Sequence, residues 1–476
     1  MRVYLGIVLV LLVTLAVRVQ GVTSESVWFD EAVTVVLMDE PSLWNFLDAS
    51  RSVDKLKVPL YFVIEYAWWH SVSSSILGLR ALSILIALIS VFVLYFFTQR
   101  IAGLLPAIVA GLCFALSKPY IFYGQEIRMY GLMYLLALGS WWALYIATRG
   151  SRRGWHVNAA LNLLLINTHL LGALSIASQF VFLFLEKPRG WRRNAAWAVA
   201  HAVIALSVVP WVLRFASYEK AVAWIIQPPL WFLVETFVFV LPGTKFDCVD
   251  SVNGVGLATA IAFAVVTLPL AVLAARKLWS TIEERATAKL LVTWMFAPIL
   301  GMFVASYVYT PCYVDRYALY AALPFFMLVG IGVGALRKHA NVFAALLVAV
   351  LAGVNASTIE RPMRPDMAHV GDLISFNAEE GDIIVTRGVG YAFSLAVYYP
   401  PAKANVGVPH EPMRQSVREV MQGARGWFVL DPQHDDYTQW RRSIDDAIEK
   451  GRVRLEMENT TDGKEPVEVL LLAPAQ

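Results

Sequence analysis

The sequence predicts a polytopic α-helical membrane protein with a small extracytoplasmic α/β domain at its C-terminal end. Three observations support this fold class. Hydrophobic residues make up 58% of the 476 residues and charged residues only 16%, whereas a soluble domain has about 45–50% apolar and about 25% charged residues. Long apolar runs recur along most of the chain. From Arg361 onward the charge density rises and these runs stop, which is typical of a water-facing domain.

The apolar runs predict about eleven transmembrane helices. The first, Val3–Val17, has no small-residue cleavage site behind it, so we interpret it as an uncleaved span rather than a signal peptide. The predicted runs 156–168 and 169–186 meet at Asn167–His169. Both are short, so they can be two helices that turn at the histidine. The predicted runs after the first are 80–99, 104–121, 129–148, 156–168, 169–186, 193–213, 254–275, 288–308, 318–336 and 340–358.

Basic loops predict the orientation, because Lys and Arg accumulate in cytoplasmic loops. Four loops are rich in basic residues, and all four fall inside if Pro59–His70 lies at the outer interface instead of crossing the membrane. These loops lie at 149–153, 187–193, 276–289 and 337–339. Glu65 within Pro59–His70 also argues against a span. The N-terminus is then cytoplasmic. The extracytoplasmic segments are 21–79, 122–128, 214–253, 309–317 and 362–476.

The tail has the alternating pattern of a small α/β domain. Strands are expected at 382–386, 426–431 and 467–474, and helices at Glu411–Gln422 and Tyr437–Lys450. We therefore divide the chain into a transmembrane domain at 1–360, which includes the first outer loop 21–79, and an extracytoplasmic α/β domain at 361–476.

Two adjacent carboxylates, Asp30 and Glu31, follow the first span on the outer face. A partly desolvated aspartate at a membrane surface can accept a proton from a hydroxyl, because desolvation raises a carboxyl pKa. The same pair is also expected as the solvated start of an interfacial helix, whose N-terminus favours acids. Both interpretations remain open from these residues alone.

Two short outer motifs place arginines at the membrane boundary, where a lipid phosphate lies. The motif QEIRMY contains Glu126, Arg128 and Tyr130, and CYVDRY contains Arg316. A guanidinium can bind a phosphate through two parallel hydrogen bonds. The same residues are common as helix-flanking anchors, and the aspartate before Arg316 is equally suited to a structural ion pair.

Three further polar residues are candidates for the same site. His169 lies at the predicted outer turn, and Lys57 precedes the Pro-Leu-Tyr motif that contains Tyr61. A lone histidine is more often a satisfied interior residue, and a lysine beside a membrane usually extends its ammonium group to water. No Cys/His cluster predicts a metal site, and the net charge of +3 does not indicate a nucleic-acid partner.

The order of these motifs resembles that of the GT-C membrane glycosyltransferases that use polyprenyl-phosphate sugars, such as protein O-mannosyltransferases and lipid A aminoarabinose transferases. The shared order is an Asp-Glu pair after the first span, Pro59–Tyr61, Leu79–Ser83, Glu-x-Arg-x-Tyr, a Thr-His turn and a late Arg-Tyr motif. The likeness covers roughly residues 1–340 and, more loosely, the α/β tail. Lys57-Val58 stands where members often have His-Pro, which leaves the sugar and the acceptor open.

The resemblance implies a donor sugar on a polyprenyl phosphate, a site and tail on the periplasmic side of a cell inner membrane, and a glycan, lipid or protein acceptor. Asp30 matches the general base and Glu31 its neighbour. Arg128 and Arg316 match positions near the lipid phosphate, and His169 matches a recurrent histidine. No cofactor is required, and a divalent cation at the two carboxylates is compatible with this scheme.

Two other functional classes are weighed against a transferase. A secondary transporter places ionisable residues near the bilayer midplane, often in inverted repeats, whereas the charged motifs here lie at the outer edges of the spans. A non-catalytic scaffold or receptor would use the tail as its binding module, and changes at Asp30 would be silent. The favoured prediction is an inverting glycosyltransferase with Asp30 as the general base.

Overall fold

A computed structural model describes residues 1–53, 58–187, 195–216, 225–243, 254–359, 364–386, 388–400, 420, 422–423, 425–432, 437–461 and 466–475. The chain divides into two compact units. Unit 1 consists of Met1–Gln20 and Arg51–Thr358, and unit 2 of Gly21–Ser50 and Ile359–Gln476. The predicted domain boundary assigned the whole outer loop 21–79 to the transmembrane domain, whereas the first part of that loop groups with the tail.

The regular elements of the described residues as far as Ile359 are helical, and they include a π-helical turn at Thr236–Val240 and 3₁₀ segments at Asp315–Ala321 and Arg337–His339. The α-helices in chain order are α1 (Arg2–Val19), α2 (Phe29–Val36), α3 (Leu43–Val53), α4 (Pro59–Ser71), α5 (Ile76–Ala102), α6 (Leu104–Leu116), α7 (Lys118–Phe122), α8 (Tyr130–Thr148), α9 (Arg152–Ile166), α10 (Gly172–Glu186), α11 (Ala195–Ser207), α12 (Val209–Ala216), α13 (Trp231–Glu235), α14 (Gly254–Ser280), α15 (Ile282–Val308), α16 (Leu323–Ala335) and α17 (Ala340–Ile359).

Local sequence signals explain several of these boundaries. The hydroxyl of Ser75 accepts a 3.0 Å hydrogen bond from the backbone N–H of Gly78 and caps the start of α5. Ser151 caps α9 in the same way through Gly154. Both serines satisfy a backbone N–H that has no partner within the helix. Helix α5 ends at Ala102 and is followed by Gly103, whose φ of 90° is rarely adopted by residues that carry a side chain.

Within the described residues, five helical segments are long and apolar enough to cross a membrane: α1, α5, α8, Ala260–Ser280 and Glu284–Val308. A bent pair, Leu319–Ala335 and Arg337–Gly353, makes a sixth if it is counted as one span. Shorter apolar helices account for other predicted runs. A helix of 15 residues rises about 22 Å, less than the roughly 30 Å of the hydrocarbon core. The chain is thus a helical membrane protein, and the count of about eleven spans stays a prediction.

A buried polar network joins α8, α9, α10 and α11 in unit 1. The side-chain amide nitrogens of Asn158 and Asn162 each donate a 2.9 Å hydrogen bond to Oε1 of Gln179. Asn162 Nδ2 also lies 2.9 Å from Nε2 of His201, and Ser140 donates to Oδ1 of Asn162. Polar groups buried away from water require such partners. The network fixes α9 and α10, the two helices on either side of the His169 turn.

Unit 2 contains a four-stranded mixed sheet with the strand order β1-β2-β4-β3. β1 pairs with β2 in parallel, and the other two pairings are antiparallel. The tail elements in chain order are α18 (Met367–Asn377), β1 (Ile383–Thr386), α19 (Gly388–Tyr398), β2 (Gly426–Leu430), α20 (Tyr437–Glu449), β3 (Val453–Thr460) and β4 (Glu468–Pro474).

Most of the predicted tail elements have counterparts in unit 2. Three strands and α20 lie where the apolar pattern predicts them. Strand β3 was not predicted, because its sequence VRLEMENT alternates between buried and accessible positions and has no apolar run. The helix predicted at Glu411–Gln422 lies almost wholly outside the described residues.

Both faces of this sheet are buried, which explains the continuous apolar runs of its central strands. Trp427 and Val429 of β2 point into a core cluster with α18 and α19. Their neighbours Phe428 and Leu430 point into a second cluster with α20. Val36 of α2 packs against the first cluster. Helix α2 is therefore part of the fold of the tail, although it precedes the tail by more than 300 residues.

Candidate active site

The two adjacent carboxylates have different environments in unit 2. Asp30 and Glu31 lie in the first turn of α2, where successive side chains point about 100° apart around the helix axis. Glu31 is fully buried, and its Oε2 accepts a 2.5 Å hydrogen bond from Nη1 of Arg364. Asp30 is half-buried. The pair that looks uniform in the sequence thus divides into an ion-paired glutamate and a more accessible aspartate.

The segment before α2 is also tied to the tail. Ser26 and Val27 are both buried, and each takes part in a hydrogen bond with a tail residue. The contacts are Ser26 Oγ to Asp366 Oδ1 at 3.0 Å, Val27 N to Tyr398 Oη at 2.7 Å, and the ring centroids of Phe29 and Phe393 at 6.4 Å. These contacts hold the start of α2 within unit 2.

A second group of predicted site residues meets around His169 in unit 1. The ring centroid of His169 lies 4.9 Å from that of Tyr317 and 6.1 Å from that of Tyr130. The guanidinium carbon of Arg316 lies 5.9 Å from the Tyr130 ring centroid and 5.6 Å from that of Tyr317. Motifs that are far apart in the sequence therefore share one cluster.

Hydrogen bonds to backbone carbonyl oxygens connect two other motifs to the turn that contains His169. The hydroxyl of Tyr320, in the 3₁₀ segment that contains Arg316, donates a 3.2 Å hydrogen bond to the carbonyl oxygen of Leu171. The backbone N–H of Leu60 donates to the carbonyl oxygen of Asn167 at 3.1 Å. The Pro-Leu-Tyr motif at the start of α4 thus contacts the turn that carries His169.

The loop that contains Glu126 and Arg128 is held from two sides. The hydroxyl of Ser83 donates a 2.6 Å hydrogen bond to the Glu126 carbonyl oxygen. At the other side, Arg18 donates to the carbonyl oxygen of Tyr120 at 2.8 Å, and Gln125 Nε2 donates to the carbonyl oxygen of Arg18 at 2.8 Å. Glu126 is fully buried and Arg128 is 6% exposed. The loop therefore presents Arg128 from a fixed backbone.

The cluster keeps His169 neutral. Burial, followed by the positive charges of Arg128 and Arg316, lowers the pKa of His169 to about 3. Its Nδ1 accepts a 3.2 Å hydrogen bond from the backbone N–H of Leu171, so the neutral ring carries its proton on Nε2. Two guanidinium groups and a neutral N–H donor in one cluster are suited to an anion with several oxygens.

Tyr61 stays a protonated hydroxyl, because burial and then the charges of Glu65 and Glu126 raise its pKa well above the usual range. Glu65, which follows Tyr61 in α4, and Arg80, in the Leu79–Ser83 motif, are both buried, and neither was among the predicted site residues. An acid within an apolar segment was the available signal for Glu65. Arg364 was also missed, since nothing in its neighbourhood of the sequence marks it.

Two further predictions concern Lys57 and a divalent cation. Lys57, proposed as a phosphate ligand, lies outside the described residues. Across the part of the chain that the structure describes, no group of three or more His, Cys, Asp or Glu side chains is arranged to hold a metal ion.

Comparison by sequence finds no matching protein family and no matching curated protein. Comparison by structure matches ArnT from Cupriavidus metallidurans in the apo state, with a TM-score of 0.58, 12% identity and coverage of 98% of this chain and 97% of that chain. The same protein bound to undecaprenyl phosphate matches with a TM-score of 0.57 and 13% identity. The chain has the GT-C fold.

Two further structures share this GT-C fold over part of their length. The Archaeoglobus fulgidus oligosaccharyltransferase in complex with Zn and sulfate has a TM-score of 0.55 and 12% identity, with 83% of this chain and 61% of that chain covered. Arabinofuranosyltransferase AftD from Mycobacteria has a TM-score of 0.52 and 15% identity, with 99% and 41% covered. The resemblance to GT-C glycosyltransferases predicted from the motif order is confirmed at the level of the fold.

Proposed function

We propose that the chain is an inverting membrane glycosyltransferase. It moves a sugar from a polyprenyl-phosphate donor to an acceptor hydroxyl on the periplasmic side of a cell inner membrane. The observation that carries this proposal is the cluster of Arg128, Arg316 and neutral His169, which is suited to a phosphate. The GT-C fold supports it, and so does the undecaprenyl phosphate bound to the structurally similar ArnT.

The phosphate is the leaving group in this reaction. As the bond between the anomeric carbon and the phosphate oxygen breaks, its electron pair stays on the phosphate. Arg128 and Arg316 balance the growing negative charge, and the Nε2–H of His169 donates a hydrogen bond to it. Fixed donors in a poorly hydrated site stabilise such charge more than water does. The lipid carries the activated sugar, so no nucleotide-binding site is needed.

Asp30 is the general base in the proposed mechanism. The acceptor hydroxyl attacks the anomeric carbon, and its proton passes to the Asp30 carboxylate, so a single displacement inverts the anomeric centre. Glu31 is less suited to this role, because it is fully buried and hydrogen-bonded to Arg364. We therefore assign Glu31 to the support of α2 and Asp30 to proton transfer.

The test uses the full chain in nanodiscs with a panel of radiolabelled polyprenyl-phosphate sugars and added membrane extract. Loss of label from the lipid reports transfer or slow hydrolysis. Wild type should release label from one donor, and Asp30→Asn should lower the rate by about 100-fold or more. Asp39→Asn is the matched control, because Asp39 is an exposed aspartate of the same unit.

The outcomes separate the parts of the proposal. Near-normal turnover by Asp30→Asn contradicts the assignment of the base. An absence of release from every donor, with folded protein and extract present, contradicts the lipid-phosphate donor. A rate loss in Asp39→Asn that equals the loss in Asp30→Asn would point to a general charge effect instead of a base.

A further inference from the structure

The ion pair between Glu31 and Arg364 joins two parts of the chain that are 333 positions apart. Glu31 is fully buried and Arg364 is 6% exposed. Removing one partner of a buried ion pair strongly destabilises the folded protein, because water cannot replace the lost partner. The pair therefore constrains the position of α2 far more than a surface salt bridge would.

The three residues of α2 that follow Glu31 are buried as well. Ala32, Val33 and Thr34 are 0%, 3% and 0% exposed. Just before α2, Asp366 accepts hydrogen bonds from the hydroxyl of Ser26 and from the backbone N–H of His369, which lies in the first turn of α18. One tail carboxylate thus caps a tail helix and holds the segment that leads into α2.

Asp30 shares the first turn of α2 with Glu31, so its position depends on what holds that turn. A displacement of about 1 Å in a reacting group can lower a rate by about 100-fold. We propose that Arg364 is a positioning residue for glycosyl transfer: by binding Glu31 it holds α2, and through α2 it sets the position of the Asp30 carboxylate. This inference rests on the proposed function of Asp30.

The experiment compares Arg364→Met with Arg364→Lys in the full chain, in the same nanodisc assay. Arg364→Met should lower kcat by about 100-fold and leave the donor KM within about twofold, because the phosphate ligands are unchanged. Arg364→Lys keeps a charge for Glu31 and should recover at least about tenfold of that loss. Thermal unfolding of each variant is measured in parallel.

Arg441→Met is the matched control. Arg441 forms another partly buried ion pair of unit 2, at 2.8 Å from Glu468, whose side chain is 8% exposed. Its removal also weakens the tail but does not touch α2, so kcat should stay within about threefold of wild type. Equal losses of kcat in Arg364→Met and Arg441→Met would mean that the rate depends only on the stability of the tail. That result would overturn the proposal.

Two further outcomes complete the test. A folded Arg364→Met variant with wild-type kcat overturns the positioning role. If that variant does not fold, Arg364→Gln replaces it, because it keeps an amide donor for Glu31; its kcat should fall about tenfold, and a wild-type value overturns the proposal. An active Asp30→Asn variant refutes the base itself. An inactive Asp30→Asn variant beside fully active Arg364 variants refutes only the positioning role.

Discussion

Glu31 in unit 2 lies beside a charge of opposite sign, whereas His169 in unit 1 is affected by two charges of the same sign. At Glu31, a buried carboxylate meets a buried guanidinium at 2.5 Å. At His169, the charges that lower the ring pKa, those of Arg128 and Arg316, are both positive. A matched pair inside a fold serves structure, whereas like charges gathered around a neutral donor are suited to an anionic ligand. Under the proposed function, Glu31 and Arg364 support the fold, whereas Arg128, Arg316 and His169 bind the donor phosphate.

The largest effect is expected from removing the two positive charges that act on His169, those of Arg128 and Arg316. The double variant Arg128→Met/Arg316→Met should lower kcat/KM for a polyprenyl-phosphate sugar by about 1000-fold, since each charge-assisted hydrogen bond is worth about 1.5–3 kcal/mol. Steady-state kinetics in nanodiscs measure this loss. Arg149→Met is the control, because Arg149 is an exposed arginine of the same unit whose Nη2 donates a 2.8 Å hydrogen bond to the hydroxyl of Thr287. A similar loss in the control would remove the distinction.

The next effect concerns stability and tests the other half of the comparison. Glu31→Gln should destabilise unit 2 by about 3 kcal/mol, because it leaves the buried Arg364 charge without its anionic partner. Asp30→Asn should cost less than about 1 kcal/mol, as expected at a half-buried position. Hydrogen exchange of the β2 and β4 backbones under increasing urea measures both values. Equal destabilisation by the two variants would contradict the division of roles.

A smaller effect is expected at His169. His169→Gln should lower kcat about tenfold through loss of one hydrogen bond, and the pH profile between pH 5 and 8 should keep its shape. The reason is that a pKa of about 3 leaves the folded ring neutral over this range. An activity limb near pH 6.5 that disappears in His169→Gln would show instead that the ring titrates during turnover.

The same pKa predicts a pH dependence of stability. In the unfolded chain the ring titrates near its ordinary pKa of about 6.5, so protons favour the unfolded state as the pH falls from about 6.5 toward 3. Wild type should therefore lose more stability between pH 7.5 and pH 5 than His169→Gln does. Thermal unfolding at the two pH values measures the difference.

The smallest effect should come from Gly124, in the loop before Glu126. A Cβ at this position would lie 2.5 Å from Nε of Arg18 and 2.6 Å from the carbonyl oxygen of Tyr120, so the loop must shift. Gly124→Ala should lower kcat/KM by about fivefold through displacement of Arg128. Gly353→Ala is the control, because its Cβ would meet no atom within 4 Å. Unchanged kinetics in Gly124→Ala would mean that the loop position is not critical.

Much of the tail and the membership of the His169 cluster could be predicted from the sequence. Strands β1, β2 and β4 are short apolar runs, because both faces of the sheet are buried. The candidates Arg128, Tyr130, His169 and Arg316 came from motif order, and the structure brings them together. Strand β3 was missed because the prediction relied on apolar runs, whereas VRLEME alternates apolar and charged residues, which is the pattern of a strand buried on one face.

The partner of Glu31 could not be predicted. Arg364 is one of 39 basic residues, and its pairing depends on a fold that joins positions 333 residues apart. For the same reason the first outer loop was assigned to the spans, although residues 21–50 group with the tail. Sequence distance gives no information about contacts that form only when two distant segments share a core.

The sequence by itself determined that this chain is a helical membrane protein, which segments of its tail form central strands, and which polar residues deserve testing. These properties depend on local composition and periodicity, because burial of apolar surface acts on each segment. The tertiary structure decided that Glu31 pairs with Arg364 and which charges act on His169. Those outcomes depend on side-chain direction and long-range packing, and electrostatic energies change steeply with distance and burial.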